Sequence, residues 1–191
     1  MPQKLYQDVT FDSATIQDIV LNNIEFDNCK FLNCDLSDQD LSGAQFTDCE
    51  FTGCNLSMMK LSKTALREVE FKNCKMLGLR FDDCNAFGLA FSFDNCILNY
   101  STFFQTKIRN TRFKDSQLVE VDFTECDLTG AVFDNCNLSG SVFNYTIIEK
   151  ADFCTSYNYT INPETNRVKK AKFSFPGVLG LLSQYDIEIT Q

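Results

Sequence analysis

The sequence contains no histidine. That removes the residue most used for general acid–base work near neutral pH, and the commonest imidazole metal ligand. No two cysteines have the C-x-x-C spacing, so a zinc reading is weak. There is no G-x-S-x-G elbow and no phosphate-cradling glycine loop. Carboxylate pairs such as Asp82-Asp83 occur, but in a turn-rich acidic chain they read as solvated charge. The expectation is a protein that is not an enzyme, with no catalytic residue, metal or cofactor.

Long apolar runs are missing as well. The opening MPQKLYQDVTFD lacks the apolar core of a secretory signal, and no window approaches the roughly 18–20 apolar residues of a membrane span. The chain is expected to be soluble and cytoplasmic, without a membrane partner. Positive charge is scarce: 17 Lys+Arg stand against 26 Asp+Glu, a formal charge of −9. Phosphates would be repelled, so direct nucleic-acid binding is disfavoured. An acidic surface favours basic partners, or serves solubility alone.

What the chain does have is a period of five. In FDNCKFLNCDL (26–36), Phe26, Phe31 and Leu36 are five apart, and Cys29 and Cys34 each precede the next of them by two. Large apolar centres run from Phe11 through Ile16, Leu21 and Phe26 to Phe91, the only small one being Ala86. Two extra residues then intervene around Ser92, and the frame restarts at Phe93 and runs to Phe153. Sixteen of the 19 phenylalanines are centres, so one repeating role uses nearly all of them.

The small position two residues before each centre holds nine of the ten cysteines: Cys29, Cys34, Cys49, Cys54, Cys74, Cys84, Cys96, Cys126 and Cys136. Ala44, Ala131, Ala151, Ser101, Ser116 and Thr146 take it elsewhere. Cysteine that alternates with Ala, Ser and Thr behaves as a small buried residue, which predicts reduced core thiols. The polar residues between, often Asp-Asn or Ser-Gly, are turn formers.

A chain that extends briefly and turns every five residues traces a polygon. Columns at 20-residue spacing fix four sides: Phe11, Phe31, Phe51, Phe71 and Phe91, then Phe113, Phe133, Phe153 and Phe173. Cys34, Cys54 and Cys74 align the same way. The reading is an all-β fold, a square-sectioned parallel β-helix with a solid core. About eight coils, at roughly 4.8 Å each, make a rod on the order of 40 Å long.

Here the sequence resembles the pentapeptide-repeat proteins, whose repeat is written A(D/N)LXX. DLSGAQF (40–46), CDLTGAVF (126–133) and CNLSGSVF (136–143) carry the pattern, and the resemblance covers about residues 9–153. It implies a right-handed quadrilateral β-helix. The chain divides into the repeat helix (1–153), a degenerate last coil (154–173), where Asn158 and Pro163 take centre positions, and a terminal segment (174–191).

In that last segment Pro176 suits the first turn of a helix, and Val178, Leu181, Leu182 and Tyr185 follow at helical spacing. Ile187 and Ile189 alternate with polar residues like a short strand. A helix this short needs a packing partner. It either caps the last coil or pairs two chains. The tail is similar to those through which the Qnr and MfpA types of pentapeptide protein dimerise, which implies a homodimer through the C-terminus.

The same resemblance implies DNA mimicry against DNA gyrase and topoisomerase IV, although the projecting loops of Qnr proteins are missing. From the repeat frame the outward acids are Asp27, Asp35, Asp38, Asp40, Asp48, Glu50, Asp82, Asp83, Asp115, Glu120, Asp122, Glu125, Asp127 and Asp134. Basic residues interrupt them, notably Lys72, Lys75, Arg80, Lys107, Arg109, Arg112 and Lys114. A scaffold module for an unidentified protein partner stands beside the mimic. A continuous acidic face would favour the mimic and a patchwork the scaffold.

Overall fold

The computed structural model describes residues 4–17, 19–188 and 190. Short strands and single bridges stack in parallel, each coil on the next. β1 (Lys4–Gln7), β3 (Ile24–Asp27), β5 (Gln45–Thr47) and β7 (Ala65–Arg67) form one face. β2 (Thr10–Asp12), β4 (Lys30–Leu32), β6 (Glu50–Thr52), β8 (Val69–Lys72), β9 (Phe91–Asp94), β10 (Arg112–Lys114) and β11 (Val132–Asp134) form a second. The seven strands of that second face span six turns. Bridges from Val132 to Asp152 and from Asp152 to Lys172 carry the stack two turns further. Single bridges such as Asp35–Asn55 and Asp122–Val142 make the other two faces. The result is the expected parallel β-helix.

The period of five has a backbone cause. From Asn23 to Gly78 every fifth residue adopts the left-handed conformation, and the same spacing resumes from Asn95 to Lys150. Glycine, Asn and Asp tolerate that region and most other residues do not. At Gly53 the requirement is double, because a side chain there would also run into the Asn33 carboxamide of the coil below. Tyr100 and Lys150 hold the same geometry while their N–H groups bond the Val119 and Lys169 carbonyls of the next coil. Most corner N–H groups donate to a carbonyl of the next coil, as Asn28 does to the Thr47 carbonyl at 3.0 Å.

Inside, three ladders of rings fill the core. In the Phe11 column successive centroids lie 4.4–5.4 Å apart and nearly parallel up to Phe173. Phe26 stacks on Phe46 at 4.9 Å, and Phe81, Phe103, Phe123 and Phe143 form a third ladder. Neighbouring columns meet edge to face, as Phe113 and Phe123 do at 83°. Both arrangements suit the ring quadrupole.

The small position is more than a space-filler. The Cys54 thiol donates to the Phe31 carbonyl at 3.3 Å and the Cys74 thiol to Phe51 at 3.4 Å. Thr146 Oγ1 donates to Phe123 at 2.8 Å, Ser156 Oγ to Phe133 at 2.7 Å and Asn166 Nδ2 to Phe143 at 2.8 Å. The position therefore takes a short donor as readily as a methyl group, because each donor satisfies a buried carbonyl of the coil beneath.

Five expectations about the coils need correction. Phe91 does not belong to the Phe11 column: Phe93 stacks on Phe71, while Phe91 pairs in register with Val69 at the small position. The two extra residues therefore lie before Phe91, between Asn85 and Ala90, and not around Ser92. The hydrogen bonds bracket them there, since Asn85 N–H still bonds the Thr64 carbonyl whereas Val69 N–H bonds that of Ala90. Ala86, expected as a centre, is exposed, and Leu89 packs on the core instead. Cys84 leaves its column at the end of a 3-10 turn, Phe81–Asp83, and is only half-buried. In the last coil the buried residues are Tyr159 and Ile161, in place of Asn158 and Pro163.

The terminal helix is two 3-10 turns, Gly177–Leu181 and Ser183–Tyr185, and among the described residues no strand follows them. A strand needs a paired edge, and Asp186 turns left-handed after the second turn. Ile189 lies outside the described residues.

Phe113 is fully buried in the middle of the longest ladder. Phe113→Ala is expected to cost about 3–5 kcal/mol, read as a lower urea midpoint at unchanged slope. A loss below about 1 kcal/mol, the size of an ordinary substitution, would show that the ring ladders do not hold the coils together.

Candidate protein-binding surface

With the inward positions committed to packing, chemistry is left to the outward side chains. Four core thiols do not add to it: burial pushes Cys34, Cys49, Cys126 and Cys136 up to about 12, so they stay protonated. Among the described residues no group of acids and cysteines is arranged to hold a metal ion. Among the same residues no helix is long and apolar enough to cross a membrane.

The predicted acids do not form one continuous face. Six of them are neutralised by a neighbour. Glu50 meets Lys72 at 3.2 Å, and Asp82 and Asp83 share Arg80 at 2.7 and 3.3 Å. Asp115 lies 3.6 Å from Lys114, Asp127 2.6 Å from Arg109 and Asp134 3.2 Å from Arg112. Among the described residues Asp27, Asp35, Asp38, Asp40, Asp48, Glu120, Asp122 and Glu125 have no such ion pair. The Ser37 hydroxyl and backbone N–H hold Asp35 below the usual carboxylate range, and Ser42 does the same for Asp40. Both are ionised at neutral pH.

The unpaired acids are spread over several faces, but one edge brings four carboxylates together, two of them sharing Lys72. Where β5 turns into β6 and β7 into β8, the corner residues are Asp48 and Glu68. Glu50 and Glu70 lie directly over one another in the β6–β8 register. Like charges so placed repel, and Lys72 offsets this by binding both, at 3.2 and 2.6 Å. The Thr52 hydroxyl, and then Lys72, hold Glu50 below its ordinary value. These four acids line a groove of about 580 Å³ with Asn28, Lys30, Ser92, Asn110 and Arg112 on its rim and Cys49, Val69 and Phe91 at its floor. The groove opens where Ser92 follows Glu70 in register and offers only a hydroxyl.

Glu68 and Glu70 are absent from the residues picked out by the sequence, because the mixed charges of 63–72 hide them. The signal was available: in the 20-residue frame Glu68 falls over Asp48 and Glu70 over Glu50. Asp27 lies one strand away from the same edge, at the end of β3.

At the C-terminus, Ile161 N–H donates to the Gly180 carbonyl at 3.0 Å and Leu181 packs on the core, so the 3-10 turns close the last coil. Leu182 is half-buried beside them. The outer side is apolar and exposed: Val178, Leu179, Tyr185 and Ile187 are open to solvent, and Phe175 is 93 % exposed. Phe175 and Leu179 join the predicted residues there. The segment thus caps the core with one side and leaves the other free.

Asp127 is the one acid of the set with a buried side chain. Burial acts to raise its pKa, but the Arg109 guanidinium and the Thr129 hydroxyl outweigh it and hold it below the ordinary value. Stability from this pair is full above the unfolded carboxylate pKa of about 3.9 and is lost as pH falls through the lower folded value. Arg109→Ala is expected to destabilise by about 1–3 kcal/mol at neutral pH, with a smaller loss on acidification than in the wild type. Equal acid sensitivity in both proteins would contradict this account.

Two structures of QnrB1, described as a plasmid-mediated fluoroquinolone resistance protein, share the fold. The full-length form is 15% identical at TM-score 0.64, covering 97% of this chain and 98% of that one. A trypsin-treated variant is 16% identical at TM-score 0.63, covering 99% and 100%. No curated protein matches the sequence. The family description "Pentapeptide repeat region" matches residues 24–92 and 81–153, more than half of the chain. With the coil geometry above, the chain belongs to the pentapeptide-repeat proteins.

Proposed function

We propose that this protein is a non-enzymatic, cytoplasmic rod that binds a basic protein surface through its acidic edge, and that the edge imitates duplex DNA against a type II topoisomerase such as DNA gyrase or topoisomerase IV. The observation that carries the reading is the pairing of Asp48 with Glu50 and of Glu68 with Glu70 on successive coils. Two carboxylates per coil of roughly 4.8 Å give one charge per about 2.4 Å, before Lys72 is counted, against about 1.7 Å along a duplex. The backbone ladder holds those charges in fixed positions, so binding orders little that is not already ordered. The likeness to a fluoroquinolone resistance protein supports the same direction.

The scaffold reading is favoured by the upper coils. There Asp94, Asp115, Asp127, Asp134, Glu149 and Asp152 are each paired with a base, and the face is a patchwork. On that reading the acidic edge recognises a basic protein other than a topoisomerase.

Supercoiling by gyrase separates the two. The wild type is expected to inhibit it at micromolar concentration, and the Asp48→Lys, Glu68→Lys, Glu70→Lys triple variant to require at least about tenfold more protein, which is 1.4 kcal/mol. No inhibition by folded wild type, with or without a fluoroquinolone, would sink the topoisomerase reading.

The exposed outer side of the terminal 3-10 turns is proposed to pair two rods tail to tail about a two-fold axis. Leu179→Glu is expected to lower the mass found by light scattering while leaving the circular dichroism unchanged. An unaltered mass would leave the segment with capping as its only role.

A further inference from the structure

The insertion makes a feature that the repeat frame alone does not contain. Between Asn85 and Ala90 the chain leaves the coil as a bulge with Phe87 at its tip, 79 % exposed. The bulge has a defined shape. Phe87 N–H donates to Asn85 Oδ1 at 3.0 Å, and Gly88 is left-handed at φ +69°. Two cations flank it, with Asp82, itself paired to Arg80, in the notch beside one of them. Gly88 lies against the Arg67 side chain, and Lys107 lines the notch beside Ala86 and Leu89. Among the described residues neither Arg67 nor Lys107 forms an ion pair, although most of the arginines do.

The acidic groove lies directly beside this knob. The insertion that raises Phe87 ends at Phe91, on the groove floor, and Glu68 on the groove wall follows Arg67 in the chain. An aromatic knob with cations and a carboxylate-walled groove thus share one patch of the rod. Two such patches facing each other about a two-fold axis satisfy both halves at once, which is the condition for an isologous contact.

We propose that this patch is a self-association surface: two copies lie side by side and antiparallel, with the Phe87 knob of each in the acidic groove of the other. Arg67 and Lys107 then oppose Glu68 and Glu70 of the second copy. The contact is separate from the tail and does not depend on it. It also covers the edge offered to a basic partner, so self-association and partner binding compete; that consequence alone rests on the topoisomerase reading.

The test uses the full chain carrying Leu179→Glu and Ile187→Glu, which removes the apolar tail contact at exposed positions. Light scattering over a concentration series is expected to show this protein still passing from monomer to dimer. Adding Phe87→Glu weakens the dimer at least about tenfold, with an unchanged circular dichroism spectrum. Lys107→Glu sets a carboxylate against Glu68 of the second copy, and Glu68→Lys sets an ammonium against its Lys107. Each alone is expected to be monomeric, and a one-to-one mixture to regain the dimer. A tail-altered protein that is monomeric at every concentration overturns the proposal. So does a dimer that Phe87→Glu leaves unchanged, or a mixture of the two charge variants that fails to associate.

Discussion

The structure depends on one constraint: every coil must place its backbone groups against those of the coil beneath at a spacing of 20 residues. The N–H groups of the corners and the carbonyls of the small positions both point along the rod, and both find partners only in that register. Once it is set, like side chains fall over like. Phenylalanine then stacks on phenylalanine and cysteine on cysteine, with no long-range choice left to make. Unfavourable left-handed corners are tolerated where, as at most of them, the N–H bonds a carbonyl of the next coil that a different corner geometry would not reach.

The insertion shows how strongly this register is enforced. Two added residues do not propagate as a shift of the columns. They are expelled as a bulge within half a coil, and Phe93 resumes the stack above Phe71. Slipping the ladder by two residues would put the wrong side chains on every coil above, whereas the bulge exposes one phenylalanine and displaces one cysteine. The local defect costs less than the global one, and among the described residues it gives the rod body its most exposed aromatic.

Surface charge obeys the same geometry with a different outcome. Outward residues one coil apart are neighbours, so acids and bases spaced by 18–22 residues meet as ion pairs on the upper coils. Exposed pairs of this kind contribute little to stability. Their effect is to decide where field remains. On the lower edge four acids share a single groove, and Lys72 pairs with only two of them, Glu50 and Glu70.

How much of this was legible before the structure divides along the same line. The period of five, the 20-residue columns and the burial of Phe and Cys were readable from residues 9–153, because a solenoid turns local pattern directly into three-dimensional neighbours. The position of the insertion was not, since Phe91 and Phe93 both fit an apolar centre and only the ladder of backbone bonds tells them apart. The end of the rod was misread for a similar reason: Tyr159 and Ile161 go inward because the terminal turns cover them, a contact no period announces. The sequence by itself thus determined the fold and the identity of the core. Only the tertiary structure decided which charges survive unpaired, since that depends on which side chains the coils bring within a few ångströms of each other.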